Sequence, residues 1–206
     1  MKPLVYLASG SPRRFELLKQ MGLNPQKILM TIDETPKDAE LPEEYVKRVT
    51  LLKAHAAVER KKQLMLPKAP IIVADTIVSL NDTIYGKPKD PEQAKEILGI
   101  LSGQTHQVIS SVCVVYEGQF LQKEQISQVT LTQLTEQSID AYIHTREPLD
   151  KAGAYGIQGL GALFVTHIAG SYSSVMGLPI FETAQLLEQC KIHLPDMSQL
   201  DQEKND

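Results

Sequence analysis

Apolar positions along the chain follow two rhythms. Leu4-Val5-Tyr6-Leu7-Ala8 is a continuous apolar run of strand length, and Phe15, Leu17, Leu18 and Met21 after it are spaced for one face of a helix. Ile28-Leu29-Met30 predicts a second short strand. Thr31 to Leu41 is acidic and broken by Pro36, which predicts a loop. Pro42 to about Lys62 carries a long helical pattern with Tyr45, Val49, Leu52 and Ala56 inward. Pro70-Ile71-Ile72-Val73-Ala74 is the most apolar run. It passes through Asp75-Thr76 into Ile77-Val78, and Asn81-Asp82 marks a turn to Thr83-Ile84-Tyr85. Asp90-Pro91 opens a helix with Ala94, Ile97, Leu98 and Leu101 on its apolar side. Val108 to Tyr116 and Phe120 to Leu131 predict a hairpin about Glu117-Gly118-Gln119. Thr135 caps a short helix through Ile139, Tyr142 and Ile143, ended by Arg146-Glu147-Pro148. Leu163-Phe164-Val165 with Ile168 predicts a strand, Gly170 to Gly177 a loop, and Pro179 opens a last helix with Leu186 and Leu187. The tail from Pro195 to Asp206 has the polar composition of a disordered segment.

Composition narrows the class. A chain of 206 residues holds one large domain or two small lobes, and 42% hydrophobic with 22% charged residues is ordinary for a soluble globular protein. A net charge of -4 argues against nucleic-acid or membrane-surface partners, which want a basic face. Any phosphate site is then a local cluster of cations in an acidic protein. Cys113 and Cys190 show no metal spacing and no disulfide framework, so both read as buried thiols in a reducing compartment. No apolar run approaches ~18 residues, so no membrane span is expected. The opening apolar run is too short for a signal peptide, and a cytoplasmic protein is expected.

Several residues carry candidate chemistry. Ser9-Gly10-Ser11-Pro12-Arg13-Arg14 joins the first strand to the first helix, with Ser11 suited to the N-cap and Pro12 to the first helical position. A helix start offers free N–H groups and the positive end of the dipole. Two hydroxyls and two arginine forks there form a phosphate grip. The alternative is a capped helix with two solvated arginines. Arg14, however, shares a helix face with Leu17, Leu18 and Met21, which turns it toward a cleft. Asp33-Glu34 either holds a hard divalent ion or is solvated. Lys53, one turn after Val49, either snorkels outward or reaches into a site. Asp75 inside an apolar strand is costly without a charged partner or metal, and is either functional or a hydrogen-bonded structural aspartate. Gly86-Lys87 offers close backbone approach and a point charge, or is a plain surface turn. His106 reads as structural or surface-exposed rather than as a catalytic base. Four glycines between Asp150 and Gly161 allow tight turns but match neither a dinucleotide fingerprint nor a Walker A loop. Among them Gln158 carries a primary amide. That amide either pairs with a base edge offering an N–H beside a carbonyl, as in uracil or thymine, or bonds its own loop.

Six ordered motifs then carry a resemblance. Ser9 to Arg14, Ala74-Asp75-Thr76, Gly86-Lys87-Pro88, Leu101 to His106, Asp150 to Gly159 and Gly170 to Pro179 together resemble the Maf family of nucleoside triphosphate pyrophosphatases, from about Leu4 to Leu187. The resemblance implies an α/β fold: an elongated, twisted mixed sheet with flanking helices, forming two lobes around a central cleft. One such domain is expected over residues 1–194, with 195–206 as tail. The resemblance also implies hydrolysis between the α- and β-phosphates, a house-cleaning activity giving monophosphate and pyrophosphate. Asp75 resembles the catalytic proton acceptor, and Arg13, Thr76 and Gln158 the specificity positions. Arg14, Lys53 and Lys87 resemble phosphate ligands, with Ser9 and Ser11 beside them. Asp33-Glu34 falls where the family often places acidic residues. A divalent cation, Mg²⁺ or Mn²⁺, is expected to bridge the phosphates to Asp33, Glu34 or Asp75. Glutamine at 158 is similar to the branch acting on dTTP and UTP, whereas glutamate there is typical of the 7-methyl-GTP branch. The expected partner is a small-molecule nucleotide, and a homodimer is the common default for soluble oligomers. The rival reading is a nucleotide-binding regulator of septum formation without catalysis. A pure binder has no need of a carboxylate beside polyanionic phosphate, so Asp75 discriminates between the two.

Overall fold

The computed structural model describes residues 2–195. All of the polar tail but Pro195 lies outside the described residues. Among the described residues seven strands form one mixed sheet: β1 (Leu4–Leu7), β2 (Asn24–Lys27), β3 (Ile71–Leu80), β4 (Thr83–Tyr85), β5 (Thr105–Tyr116), β6 (Gln119–Leu131) and β7 (Val165–Ala169). Their order is β2-β1-β3-β5-β6-β7, with β4 added to one end of β3. β1 pairs parallel to both β2 and β3, and every other pairing is antiparallel. Six helices among the described residues cover the sheet: α1 (Pro12–Gln20), α2 (Pro42–Gln63), α3 (Pro91–Leu101), α4 (Glu136–His144), α5 (Tyr172–Val175) and α6 (Ile180–Gln189). Short 3-10 turns fill Glu147–Asp150, Ala152–Ala154 and Leu160–Phe164. Among the described residues no helix is long and apolar enough to cross a membrane.

The long strands β3 and β5 organise the interior. Successive side chains of a strand face opposite ways. Ile72 and Ala74 therefore join Val112 and Val114 in a cluster under α1 and α6, while Ile71 and Val73 join Cys113 and Val115 against α2. Further along, Val78 and Val108 enter a cluster with α3 and α4, and Ile77 and Ile109 pack on Tyr45, Val46 and Val49. Between these ends the apolar pattern breaks on both faces at once. Asp75 stands opposite Ser111 and Thr76 opposite Ser110. This polar seam divides the two lobes.

The seam also meets a gap in the sheet. β1 pairs only with Ile71 and Ile72, and β4 only from Val78 onward. On that side of β3, residues 73–77 have no strand partner among the described residues. The gap lies at the carboxyl end of β1, where parallel strands leave a crevice for ligands.

Four local expectations change. The second strand is Asn24–Lys27 rather than Ile28–Met30: it is a polar edge strand recruited by the open side of β1, where Pro25 needs no N–H donor. Ile28 is buried beyond its end and Leu29 is exposed. The stripe of α2 runs through Val46, Val49, Thr50, Ala54 and Ala57, leaving Leu52 outside. Leu163 belongs to a 3-10 turn, and β7 starts only at Val165. Within the predicted loop 170–177, Ser171 caps the four-residue α5 by accepting from the Ser174 N–H at 3.3 Å. A single turn is too short to show periodicity.

Candidate active site

The chain leaves β1 into Ser9-Gly10-Ser11 and enters α1. The Ser9 hydroxyl accepts the Ser11 N–H at 3.1 Å, and the Ser11 hydroxyl accepts the Arg14 N–H at 3.5 Å. Arg14 lies on the buried stripe of α1, so its guanidinium runs along the interior. Nε donates to the Gly177 carbonyl at 2.7 Å, Nη1 to Ser9 Oγ at 3.3 Å and Nη2 to Thr76 Oγ1 at 3.3 Å. One side chain thus joins the first loop, β3 and the segment after α5. Burial lowers the guanidinium from its ordinary pKa, and the Asp75 carboxylate acts in the opposite sense. A hydroxyl relay continues from Thr76. Ser110 Oγ donates to the Ser174 carbonyl at 2.8 Å, while Thr76 Oγ1 accepts from Arg14 and has both Ser110 Oγ, at 2.7 Å, and the Gly177 carbonyl, at 3.3 Å, within reach of its single proton.

Asp75 projects to the α2 side and is 8% exposed. Its Oδ1 accepts from Lys53 Nζ at 2.9 Å, and the same ammonium donates to Glu34 Oε2 at 2.8 Å. Lys53 stands one turn after Val49 and one turn before Ala57, inside the buried stripe of α2, which aims it at β3. The Tyr45 hydroxyl donates to the Glu34 carbonyl at 2.8 Å and ties the acidic loop to α2. Burial, then the Asp75 and Glu34 charges, push this phenol up to about 12, so it remains a donor. Asp33 is placed differently. It is exposed, its carboxylate accepts from the Thr35 N–H and hydroxyl at 2.9 and 2.6 Å, and it does not line the cleft. The Thr35 hydroxyl, then its N–H, hold this carboxyl below its ordinary value.

The opposite wall comes from the second lobe. Lys87 follows β4 and is exposed at the rim. Arg13 Nη1 lies 3.8 Å from Asp150 Oδ2, and Asp150 also pairs with Lys151. Burial alone would raise Asp150, but Lys151, Arg13 and Lys87 outweigh it and the net shift is downward. Gln158 is exposed in a tight turn closed by the Gly159 N–H on the Gly156 carbonyl at 3.3 Å. His106 lies buried beneath this wall. Its Nε2 is 2.8 Å from the Tyr155 hydroxyl, and its Nδ1 has no partner.

These walls enclose a cleft of about 880 Å³ lined by Ser9, Ser11, Arg13, Arg14, Glu34, Lys53, Asp75, Thr76, Lys87 and Gln158. Its volume suits a nucleotide-sized ligand. Within the cleft Asp150 pairs with Arg13 and Lys151, Arg14 and Lys87 add further positive charge, and Asp75 and Glu34 share one ammonium. Two carboxylates provide hard oxygen donors and leave the remaining positions to water and phosphate, as Mg²⁺ prefers. Among the described residues no group of three or more His, Cys, Asp or Glu is arranged to hold a metal. A divalent ion would therefore share these two side chains with the substrate. Sequence reasoning missed Tyr45 and Glu147 as cleft residues. Tyr45 reads as ordinary helix core, and Glu147 as the end of a helix.

The family described as Maf-like protein matches residues 4–190. A nucleoside triphosphate pyrophosphatase of Haemophilus ducreyi is 46% identical, over 94% of this chain and 98% of its own length. A dTTP/UTP pyrophosphatase of Chromobacterium violaceum is 46% identical over 93% and 96%, and one of Pasteurella multocida 47% over 92% and 96%. Among solved structures, the Staphylococcus aureus Ham1 protein aligns at TM-score 0.44 and 15% identity, covering 62% of this chain and 71% of that one.

Proposed function

The chain belongs to the Maf family, and from that membership we propose that it is a nucleoside triphosphate pyrophosphatase acting on dTTP and UTP, a house-cleaning hydrolase. The observation that carries this reading is the buried carboxylate of Asp75 held by Lys53 in a cleft that also presents Arg13, Arg14 and Lys87. A polyanion enters such a cleft readily, and a carboxylate facing it serves chemistry rather than affinity.

The triphosphate lies between Arg14, Lys53 and Lys87, with the Ser9 and Ser11 hydroxyls beside it. Lys53 uses two of its three N–H donors on Asp75 and Glu34, which leaves one for a phosphate oxygen. Asp75 orients a water in line with the α-phosphorus and accepts its proton. The bond from the α-phosphorus to the bridging oxygen breaks, and pyrophosphate leaves with its charge met by the cations. Asp75 and Glu34 would hold Mg²⁺ or Mn²⁺, which supplies further neutralisation of the phosphate oxygens when bound. At the other end, the Gln158 amide donates to a pyrimidine carbonyl and accepts from the neighbouring imide N–H, with Arg13 and Thr76 as further specificity positions. A cytoplasmic setting suits both the substrate and the free thiols of Cys113 and Cys190.

The test is product analysis with UTP and dTTP in the presence of Mg²⁺ or Mn²⁺. Monophosphate and pyrophosphate in equal amounts are expected. Orthophosphate without pyrophosphate would mean removal of the terminal phosphate only, and tight nucleotide binding without turnover would mean a regulator.

A further inference from the structure

Glu147 begins the 3-10 turn after α4, three residues before the glycine-rich motif that opens at Asp150. Its Oε1 accepts from the Tyr142 hydroxyl at 2.8 Å and the Gly161 N–H at 3.1 Å, and its Oε2 accepts from the Leu160 N–H at 2.9 Å. The Tyr142 oxygen in turn accepts the Gly156 N–H at 3.0 Å. The turn bearing Gln158 is therefore gripped on both sides, at Gly156 and at Leu160-Gly161, by one carboxylate–phenol pair. The glycines make the grip sterically feasible. A Cβ on Gly159 would run into the Glu147 carboxylate, and one on Gly161 would meet the Tyr142 oxygen at 2.6 Å. Burial pushes the Glu147 carboxyl up, but the Leu160 and Gly161 amides, the Tyr142 hydroxyl and Lys151 outweigh it and hold it below its ordinary value. It is an acceptor-only group facing three donors.

We infer that Glu147 is a positioning residue for base selection: both its carboxylate oxygens are engaged by Tyr142, Leu160 and Gly161 at the cleft wall, and it sets the pose of Gln158 by clamping both flanks of its turn. This rests on the reading of the cleft as a pyrimidine nucleotide site. Selection between bases that differ in donor and acceptor pattern depends on a polar group held in place, because a misplaced amide satisfies neither base. Loss of the clamp should then affect recognition while leaving the chemistry at Asp75, in the seam on the α2 side of β3, nearly intact.

The experiment compares UTP with CTP, which differ on the edge facing Gln158. Glu147→Gln keeps the shape but sets an amide NH₂ against loop donors. We expect its UTP-over-CTP ratio of kcat/KM to fall at least ~10-fold, through a raised KM for UTP, with kcat at saturation within about threefold of wild type. Gly159→Ala pushes the same carboxylate aside from a backbone with φ of -117° that alanine adopts readily. It should lower the ratio similarly, and the double variant should lose little more than either single one. Pyrophosphate release from UTP by the wild-type protein tests the underlying reading by itself. If the wild type is active and folded Glu147→Gln keeps the wild-type ratio, the clamp is overturned and the reading stands. Should Glu147→Gln not fold, an unchanged ratio in Gly159→Ala overturns it equally.

Discussion

Lys53 holds two carboxylates at once, and the charge count explains why that arrangement suits a reactive site. One ammonium against Asp75 and Glu34 leaves a local residual negative charge in a cleft also lined by Arg13, Arg14, Lys87 and Lys151. Asp75→Asn preserves shape and an oxygen for Lys53 while removing the carboxylate proposed to accept the proton. Pyrophosphate release should drop at least ~10²-fold with an unchanged thermal midpoint, and near-normal turnover would remove Asp75 from the role. His106 makes a different prediction. Burial lowers its pKa from 6.5 to about 4, so the folded protein keeps it neutral where the unfolded chain protonates it. Its contribution is complete above pH ~6.5 and is lost as pH falls toward about 4, by at most ~3 kcal/mol. Denaturant midpoints measured from pH 7 to 5 should therefore fall, and His106→Gln should flatten that slope.

At the scale of elements, periodicity reported helices well and edge strands poorly. The Asp90 cap and the inward Ala94, Ile97, Leu98 and Leu101 of α3 stand as the pattern predicts. The Asn81-Asp82 turn also forms where expected, with both residues at positive φ. Asp90 Oδ1 accepts the Gln93 N–H at 2.7 Å and does not line the cleft. Asp90→Ala should cost about 1 kcal/mol of unfolding free energy and leave kcat unchanged, as urea titration and steady-state kinetics would show. β2 escaped the pattern because its identity comes from the free edge of β1 rather than from its own side chains. α5 escaped because a single capped turn carries no period. The α2 stripe is shifted from the expected one, and that shift is what carries Lys53 inward rather than to the rim.

At the scale of the whole molecule, β3 and β5 run through both lobes, so neither lobe has an independent sheet. Leu18 anchors one end and Leu98 the other, both fully buried. Leu18→Ala and Leu98→Ala should each destabilise one shared unfolding transition by about 2–5 kcal/mol. Two separable transitions, followed by far-ultraviolet circular dichroism and by loss of activity, would show instead that the lobes unfold independently. Local chemistry in the sequence determined which residue types meet a polyanion: hydroxyls and arginines at a helix start, a carboxylate in an apolar strand, glycines around an amide. Those signals are short-range, because caps, turns and burial patterns depend on neighbours a few positions apart. Tertiary structure alone decided which of them share a space. It set Asp75 against Lys53 and Glu34, left Asp33 outside with Thr35, and brought Glu147 to the back of the Gln158 turn. Such pairings follow from strand order and helix rotation, which the packing of the whole chain settles and no local stretch encodes.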